Sequence, residues 1–329
     1  MSATPSRGPD RRQFIALGLG AFVVASLPLA ARRRERLVRR TMPVMGTIAE
    51  LAVVSDDPRY AHAAMDAAIA ELLRVERTMT RFTDRSDVGR ANVGAARDAV
   101  RVAPETALVV AEALAWADAT DGAYDPAIGG AVALWDVAHR REPPAEDAVR
   151  RLARRGLHRA VDVGTLRGAP ALRFHDADVR LDLGAIAKGY GVDRAAEVLR
   201  RWGVRGALVD VGGDLYALGT APSGDPWRVG IRDPGDPAAL LGTVDVADAA
   251  VATSGTYAQF FRYRGRRYHH LLDPETAAPR QTGVRSLTVR ADRCLHADVA
   301  ATALFGLAPA DAARVLASRA PGAAVVRTA

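Results

Sequence analysis

Leu181-Asp182-Leu183-Gly184-Ala185-Ile186-Ala187-Lys188-Gly189-Tyr190-Gly191 runs out of a strand-like segment into a helix, and the residues that follow it set the fold class. The helical pattern continues to about 202, a strand covers 206–211, and Gly212-Gly213 turns the chain straight into a second strand over 214–218. A two-residue glycine turn between apolar runs is a hairpin signal. A regular βαβ winding would place another helix there instead.

The same alternation of long helices and hairpin-like strand pairs extends in both directions. Upstream, 47–54 reads as a strand, and 58–80 as a helix through Ala64, Ala67, Ala68, Leu72, Val75 and Met79. A helix over 104–120 starts on Pro104, which suits the first helical position, and a shorter one covers 145–155. Strands near 159–163, 171–174 and 178–182 suggest a meander. Downstream, strands are expected near 227–232, 241–247, 249–252, 258–263, 267–272 and 284–291, then helices over 296–306 and 309–318. The fold class is α+β with mixed or antiparallel sheets and packed helices, without internal repeats.

Of 45 basic residues in the 329, Lys188 is the single lysine and the other 44 are arginine. The net charge of +7 lies entirely in residues 1–40, so residues 41–329 are neutral. The high pI therefore comes from the N-terminal tail and the arginine bias, and argues poorly for a nucleic-acid-binding face. With 49% hydrophobic and 25% charged residues the chain is globular, and the lone Cys294 excludes a disulfide framework or a multi-cysteine metal site. Arg11-Arg12 ahead of the uncharged run 14–31 reads as a twin-arginine export signal. That run is also at the short limit for a membrane span, so an uncleaved signal anchor with membrane association stays open. The expected organisation is a signal or anchor at 1–31, a basic linker at 32–40 and one body at 41–329, acting in the periplasm or on the extracytoplasmic face of the membrane.

Several segments carry candidate chemistry. In 181–191, glycines let a ligand approach the backbone, the helix N-terminus favours an anion, and Lys188 adds a compact point charge where the broad arginine fork would not fit. A strand–turn–helix junction with a solvated lysine is the plainer alternative. In Tyr268-His269-His270-Leu271-Leu272-Asp273-Pro274 the two histidines point to opposite faces of a strand, so one of them can serve a given site as a base. In His296-Ala297-Asp298-Val299-Ala300-Ala301-Thr302, Asp298 and Thr302 share a helix face. Together with backbone carbonyls they form an oxygen-only set suited to Mg²⁺, although Asp298 could equally cap the helix. Thr120-Asp121-Gly122-Ala123-Tyr124-Asp125-Pro126 and Asp210-Val211-Gly212-Gly213-Asp214 are turns that present carboxylates, the first with an aromatic ring.

In order, Met45-Gly46-Thr47, Gly122–Pro126 with Leu134-Trp135, Asp182–Tyr190, Gly212-Gly213-Asp214, Thr253–Tyr257, His270–Pro274 and Ala297-Asp298…Thr302 resemble the ApbE family. The resemblance covers roughly residues 41–310. It implies a two-lobed α+β fold and a Mg²⁺-dependent FAD:protein FMN transferase, which attaches FMN through a phosphoester to a Thr or Ser of an acceptor flavoprotein and releases AMP. By position it implies FAD contacts at Met45, Ala123, Tyr124, Asp125, Asp182, Lys188 and Leu272. It implies metal contacts at Ala185, Asp298, Ala301 and Thr302, the alanines through their carbonyls, and a catalytic base at His270 with Lys188 beside it. Phe82 stands where a tyrosine is usual, keeping a stacking face but no hydroxyl, and Ala277 stands where glycine is common. Two other functions remain compatible: an FAD pyrophosphatase using water, and a non-enzymatic exported flavin-binding protein.

Overall fold

A computed structural model describes residues 22–24, 36–154, 156–236 and 238–329. Its centre is a seven-stranded sheet, whose strands we number in chain order: β1 (Arg36–Val44), β2 (Thr47–Ser55), β3 (Gly206–Val211), β4 (Asp214–Gly219), β5 (Ala249–Gly255), β6 (Ser286–Ala291) and β7 (Ala324–Thr328). The spatial order is the chain order from one edge to the other, and every neighbouring pair is antiparallel. Alternation with a period of two explains the sheet. Ala49, Leu51, Val53, Ala207, Val209, Val211, Tyr216, Leu218, Ala250 and Ala252 enter the main core on one face. The interleaved Ala52, Val54, Leu208, Leu215, Ala217, Ala249 and Val251 join Trp227, Val229, Ile231 and Val246 on the other. That second face is covered by strands 227–232 and 240–246, which pair with each other, the former also with the short strand 22–24.

The described residues include eight α-helices: α1 (Pro58–Met79), α2 (Asp87–Gly94), α3 (Pro104–Ala119), α4 (Gly129–Trp135), α5 (Glu146–Leu152), α6 (Ala187–Arg201), α7 (Cys294–Ala303) and α8 (Pro309–Arg319). Helices α1, α6 and α7 cover the main face of the sheet, with α6 packed between the other two. A second lobe contains the three-stranded sheet of 100–101, 161–166 and 169–174. A small apolar cluster around Trp135, Phe261, Leu272 and Ala277 adjoins it.

Several sequence expectations shift. Residues 36–40, read as linker, are the first half of edge strand β1, where Arg40 pairs with Asp66. Charged side chains are tolerated there because an edge strand has one neighbour only. No strand forms at 178–182. Asp176 folds that segment into a turn by accepting from the Asp178 amide at 2.9 Å. Beyond the turn, Arg180 and Asp182 donate to the carbonyls of Ala127 and Pro126, which leaves a single parallel bridge, Ile128 to Arg180. The helix expected over 296–306 runs earlier, Cys294–Ala303, and that over 145–155 shortens to Glu146–Leu152. Apart from strand 22–24, the signal region lies outside the described residues. Among those described, no helix is long and apolar enough to cross a membrane.

Candidate active site

The site grows from the crossing of α6 and α7. At Gly189 the helices touch so closely that a Cβ would lie 2.3 Å from the Cys294 carbonyl oxygen and 2.8 Å from the Asp298 Cβ. That approach lets the Asp298 Oδ2 accept the Gly189 amide at 2.9 Å. The usual fourth-preceding acceptor of that amide would be the Ala185 carbonyl. The Gly189 amide does not bond to it, whereas the next one, of Tyr190, takes Ile186 in the regular way. The Ala185 oxygen is thereby open to a ligand.

Lys188 points from the same turn between two buried carboxylates. Its Nζ donates to the Asp214 Oδ2 at 2.5 Å and to the Asp298 Oδ1 and Oδ2 at 3.2 and 3.3 Å. Burial alone would lower the Lys188 pKa. The two carboxylates outweigh burial and hold it well above its ordinary value. It is a permanent cation, suited to fixing charge and unsuited to proton transfer. Burial and the neighbouring Asp298 push Asp214 upward, against the pull of Lys188.

One turn beyond Asp298, the Thr302 hydroxyl is 2.8 Å from the Ser254 hydroxyl at the end of β5. The amides of Leu304 and Phe305 close the helix end onto the carbonyls of Ala300 and Thr302, passing over Ala301. Asp298, Thr302 and the carbonyls of Ala185 and Ala301 are the oxygens that could hold a cation here, one of them a carboxylate, a composition suited to Mg²⁺. Among the described residues no cluster of three or more His, Cys, Asp or Glu side chains offers a rival metal site.

The pairing of 126–129 with 180–182 joins the aromatic turn to this centre. Tyr124 is buried, and its hydroxyl has no partner among the described residues. Burial first, then the carboxylates of Asp298, Asp182 and Asp125, raise its pKa, so it stays a neutral phenol with a proton to donate. Asp125 is fully engaged in shaping that turn, accepting from the Ala127 amide at 2.8 Å and from the backbone and ring of His158 at 3.1 Å. Asp182 pairs with Arg81 at 2.7 Å, and the Arg81 guanidinium lies 4.3 Å from the centroid of the Phe82 ring. Phe82 itself is 82% exposed, an apolar ring offered to solvent beside the site. Met45 adopts a left-handed φ of 51° with its amide held by Glu76, and its sulfur packs beside Gly191 on α6. The Ala123 carbonyl is bound by Arg280.

His270 follows the short ribbon 260–269. Its Nδ1 lies 3.3 Å from the Gln259 carbonyl, an acceptor, so Nδ1 carries the proton and Nε2 the lone pair. Surrounding protein, then His269 and Lys188, push its pKa down to about 4, which leaves it neutral at physiological pH. His269 instead turns to the Arg280 carbonyl. Leu272 is buried in the cluster around Trp135, where its side chain supports the turn.

Sequence reasoning left Asp214, Ser254, Arg81, His158 and Arg280 without roles. Asp214 had a signal, as the first residue beyond the Gly212-Gly213 turn, and Ser254 had one within the Thr253–Tyr257 segment. The others become visible through contacts between distant segments.

The ApbE family model matches residues 45–326. The chain is 36% identical over 292 residues to the FAD:protein FMN transferase of Treponema pallidum, covering 84% of this chain and 80% of that one. A Klebsiella pneumoniae protein of the same name is 35% identical over 257 residues, covering 75% and 77%. The solved structure of the ApbE protein from Thermotoga maritima superposes with a TM-score of 0.76 at 29% identity, covering 89% of this chain and 97% of that one. The flavin transferase ApbE from Vibrio cholerae does so at 0.74 and 28%, covering 88% and 93%. With the matched model spanning nearly all of the described body, this chain belongs to the ApbE family.

Proposed function

We propose that this protein is a Mg²⁺-dependent FAD:protein FMN transferase that joins FMN to a threonine or serine of an acceptor flavoprotein and releases AMP. The observation that carries the reading is the α6–α7 junction. There Asp298 holds the Lys188 ammonium and the Gly189 amide, Thr302 lies one turn further along α7, and the Ala185 carbonyl is left without its usual helical donor. Those oxygens, with Ala301 able to add its carbonyl, would hold Mg²⁺, which would supply charge neutralisation on the pyrophosphate.

The protein's own residues supply the rest. Lys188, fixed by Asp214, places a positive charge at the N-terminal end of α6, where the helix dipole also favours a phosphate. Tyr124 offers its unpartnered hydroxyl to an oxygen acceptor. Phe82, backed by Arg81, offers a stacking face for a planar ring. His270 Nε2 takes the proton from the acceptor hydroxyl as its oxygen bonds to the FMN-side phosphorus, and the bond from that phosphorus to the oxygen of AMP breaks. The nucleotide departs with that oxygen, and the proton leaves His270 to solvent. Residues 1–31 we read as a twin-arginine signal, which puts the reaction on the extracytoplasmic side.

Mass spectrometry of an acceptor protein incubated with the full chain, FAD and Mg²⁺ tests this. The expected result is an FMN adduct that disappears with EDTA and falls strongly in His270→Ala. Free FMN and AMP without adduct would instead mean hydrolysis by water, and an undiminished adduct in His270→Ala would remove the proposed base.

A further inference from the structure

The ribbon that leads into His270 is built against its own stability. Phe260–Tyr263 pairs with Arg266–His269 as an isolated two-stranded sheet. Arg262 sits directly opposite Arg267 in register, and like charges at facing positions repel. No aspartate or glutamate occurs between Asp248 and Asp273, a stretch holding Arg262, Arg264, Arg266 and Arg267. None of these four has an ion-pair partner among the described residues, whereas Arg74, Arg154, Arg228 and Arg319 elsewhere are paired. The turn adds a third anomaly. Arg264 and Gly265 both take positive φ, 46° and 79°, a geometry that favours Asn, Asp or Gly at the first position.

The arginines rest on rings of the ribbon itself. Arg267 lies 4.4 Å from the Phe260 centroid, Arg264 5.2 Å from Tyr263 and Arg266 5.2 Å from Tyr268. The inner face is anchored by stacking of Phe261 on Tyr268 and of Tyr268 on Trp135. The outer face keeps Phe260 37% exposed, with Arg262 also exposed beside it. At its base the ribbon is closed by His270, whose amide and ring both meet the Gln259 carbonyl.

We propose that this ribbon is the docking surface for the acceptor protein, which it holds through an acidic, extended stretch next to the hydroxyl that is modified. The inference rests on the transferase reading above. Facing arginines without a counter-charge ask for carboxylates from outside, the free ribbon edges accept an extended chain by strand addition, and exposed aromatics add contact area. Anything bound there lies beside His270, where an acceptor hydroxyl has to arrive. A lipid surface in that position would cover the base and block the acceptor.

The test uses Arg262→Glu, alone and with Arg266→Glu, in the full chain. Arg262→Glu puts a carboxylate opposite Arg267, so the ribbon is expected to be at least as stable as in the wild type, and misfolding is not a competing explanation. Binding is read by anisotropy of two fluorescein-labelled synthetic peptides, each with a central threonine, one flanked by aspartate and glutamate and the other by lysine. The wild type should prefer the acidic peptide by about ten-fold at low salt, and the preference should fade as salt rises. Both variants should lose it while the Kd for FAD, read from flavin fluorescence, is unchanged.

Retained acidic-peptide binding in the variants overturns the proposal. So does a matching loss of FAD affinity, which would assign the arginines to the dinucleotide. A variant-sensitive association with phosphatidylserine vesicles, without peptide preference, overturns it in favour of a membrane. The adduct assay stands apart from these arms: a wild type that binds the acidic peptide through these arginines but makes no adduct refutes the chemistry and leaves the docking surface intact.

Discussion

Lys188→Met removes the one cation shared by two carboxylates whose side chains are 5% and 4% exposed. The Nζ lies 2.5 Å from Asp214 and 3.2 Å from Asp298, and methionine keeps most of the side-chain volume while deleting the charge. Breaking a buried ion pair from one side costs about 3–5 kcal/mol, because the surviving charge loses both water and partner. Against a total stability of roughly 5–15 kcal/mol, that is a loss urea unfolding followed by circular dichroism reads directly in EDTA at neutral pH. Asp214→Asn in the Lys188→Met background should recover part of it by removing one of the stranded charges. The double-mutant cycle should therefore show coupling of roughly 1–3 kcal/mol. A Lys188→Met chain within about 0.5 kcal/mol of wild type, or an additive cycle, would refute the claim that this lysine is the structural counter-charge of the site. Lys188→Arg separates charge from shape. The forked guanidinium should fail in the space beside the Gly189–Cys294 contact, so activity surviving that change intact would show that a compact ammonium is not required.

Four further outcomes follow from the same geometry. Gly189→Ala drives a Cβ to 2.3 Å from the Cys294 carbonyl, so α6 and α7 must separate. The expected result is a loss of more than about 2 kcal/mol, together with loss of Mg²⁺ binding by calorimetry. Asp193 on α6 caps α7 across the helix pair, accepting from Cys294 and Leu295 amides at 2.7 and 3.1 Å. At pH 4, Asp193→Ala should cost about 2–4 kcal/mol by stranding those two donors. Burial raises the Asp193 carboxyl from 3.8 to about 6, so its contribution is full below pH 3.8 and is lost as pH rises through 6. The cost of Asp193→Ala should then shrink between pH 4 and 8 by up to about 3 kcal/mol, and a cost that grows with pH contradicts the shift. The His270 pKa is lowered to about 4, so the base is deprotonated above that value, and the acid limb of kcat/KM should fall near pH 4. A limb near 6.5 would mean an ordinary, solvated histidine. Ala277 holds a left-handed φ of 49° while its carbonyl accepts from the Trp135 indole at 2.6 Å. Ala277→Gly should release roughly 1–2 kcal/mol of strain, offset by about 0.8 for the buried methyl, for a small net gain in thermal midpoint.

Much of the frame was legible in the chain, and the reason is geometric. Alternation in Thr47–Ser55 and Gly206–Gly219 divides cleanly between the two apolar clusters because a strand turns successive side chains to opposite faces. The Gly212-Gly213 turn announced antiparallel wiring, and the sheet is antiparallel throughout. Asp298 and Thr302 could be placed on one face, and His269 and His270 on opposite ones, from local backbone repeat alone. The same local rules misread Arg36–Arg40, where an edge position tolerates charge, and 178–182, where Asp176 diverts the chain into a turn.

The sequence by itself determined the long helices, the hairpin about Gly212-Gly213 and most of the central strands, the order of the motifs, and the oddity of a single lysine among 45 basic residues. Those properties depend on neighbours within one element, where spacing translates directly into direction. Only the tertiary structure decided that Lys188 is clamped by residues 26 and 110 positions away, and that Asp298 takes the Gly189 amide and so opens the Ala185 carbonyl. Likewise it alone set two arginines without ion pairs among the described residues face to face on the ribbon that ends at His270. Contacts of that range depend on how helices and sheet pack, above all on a glycine that lets α6 and α7 touch, and no spacing along the chain encodes the distance between them.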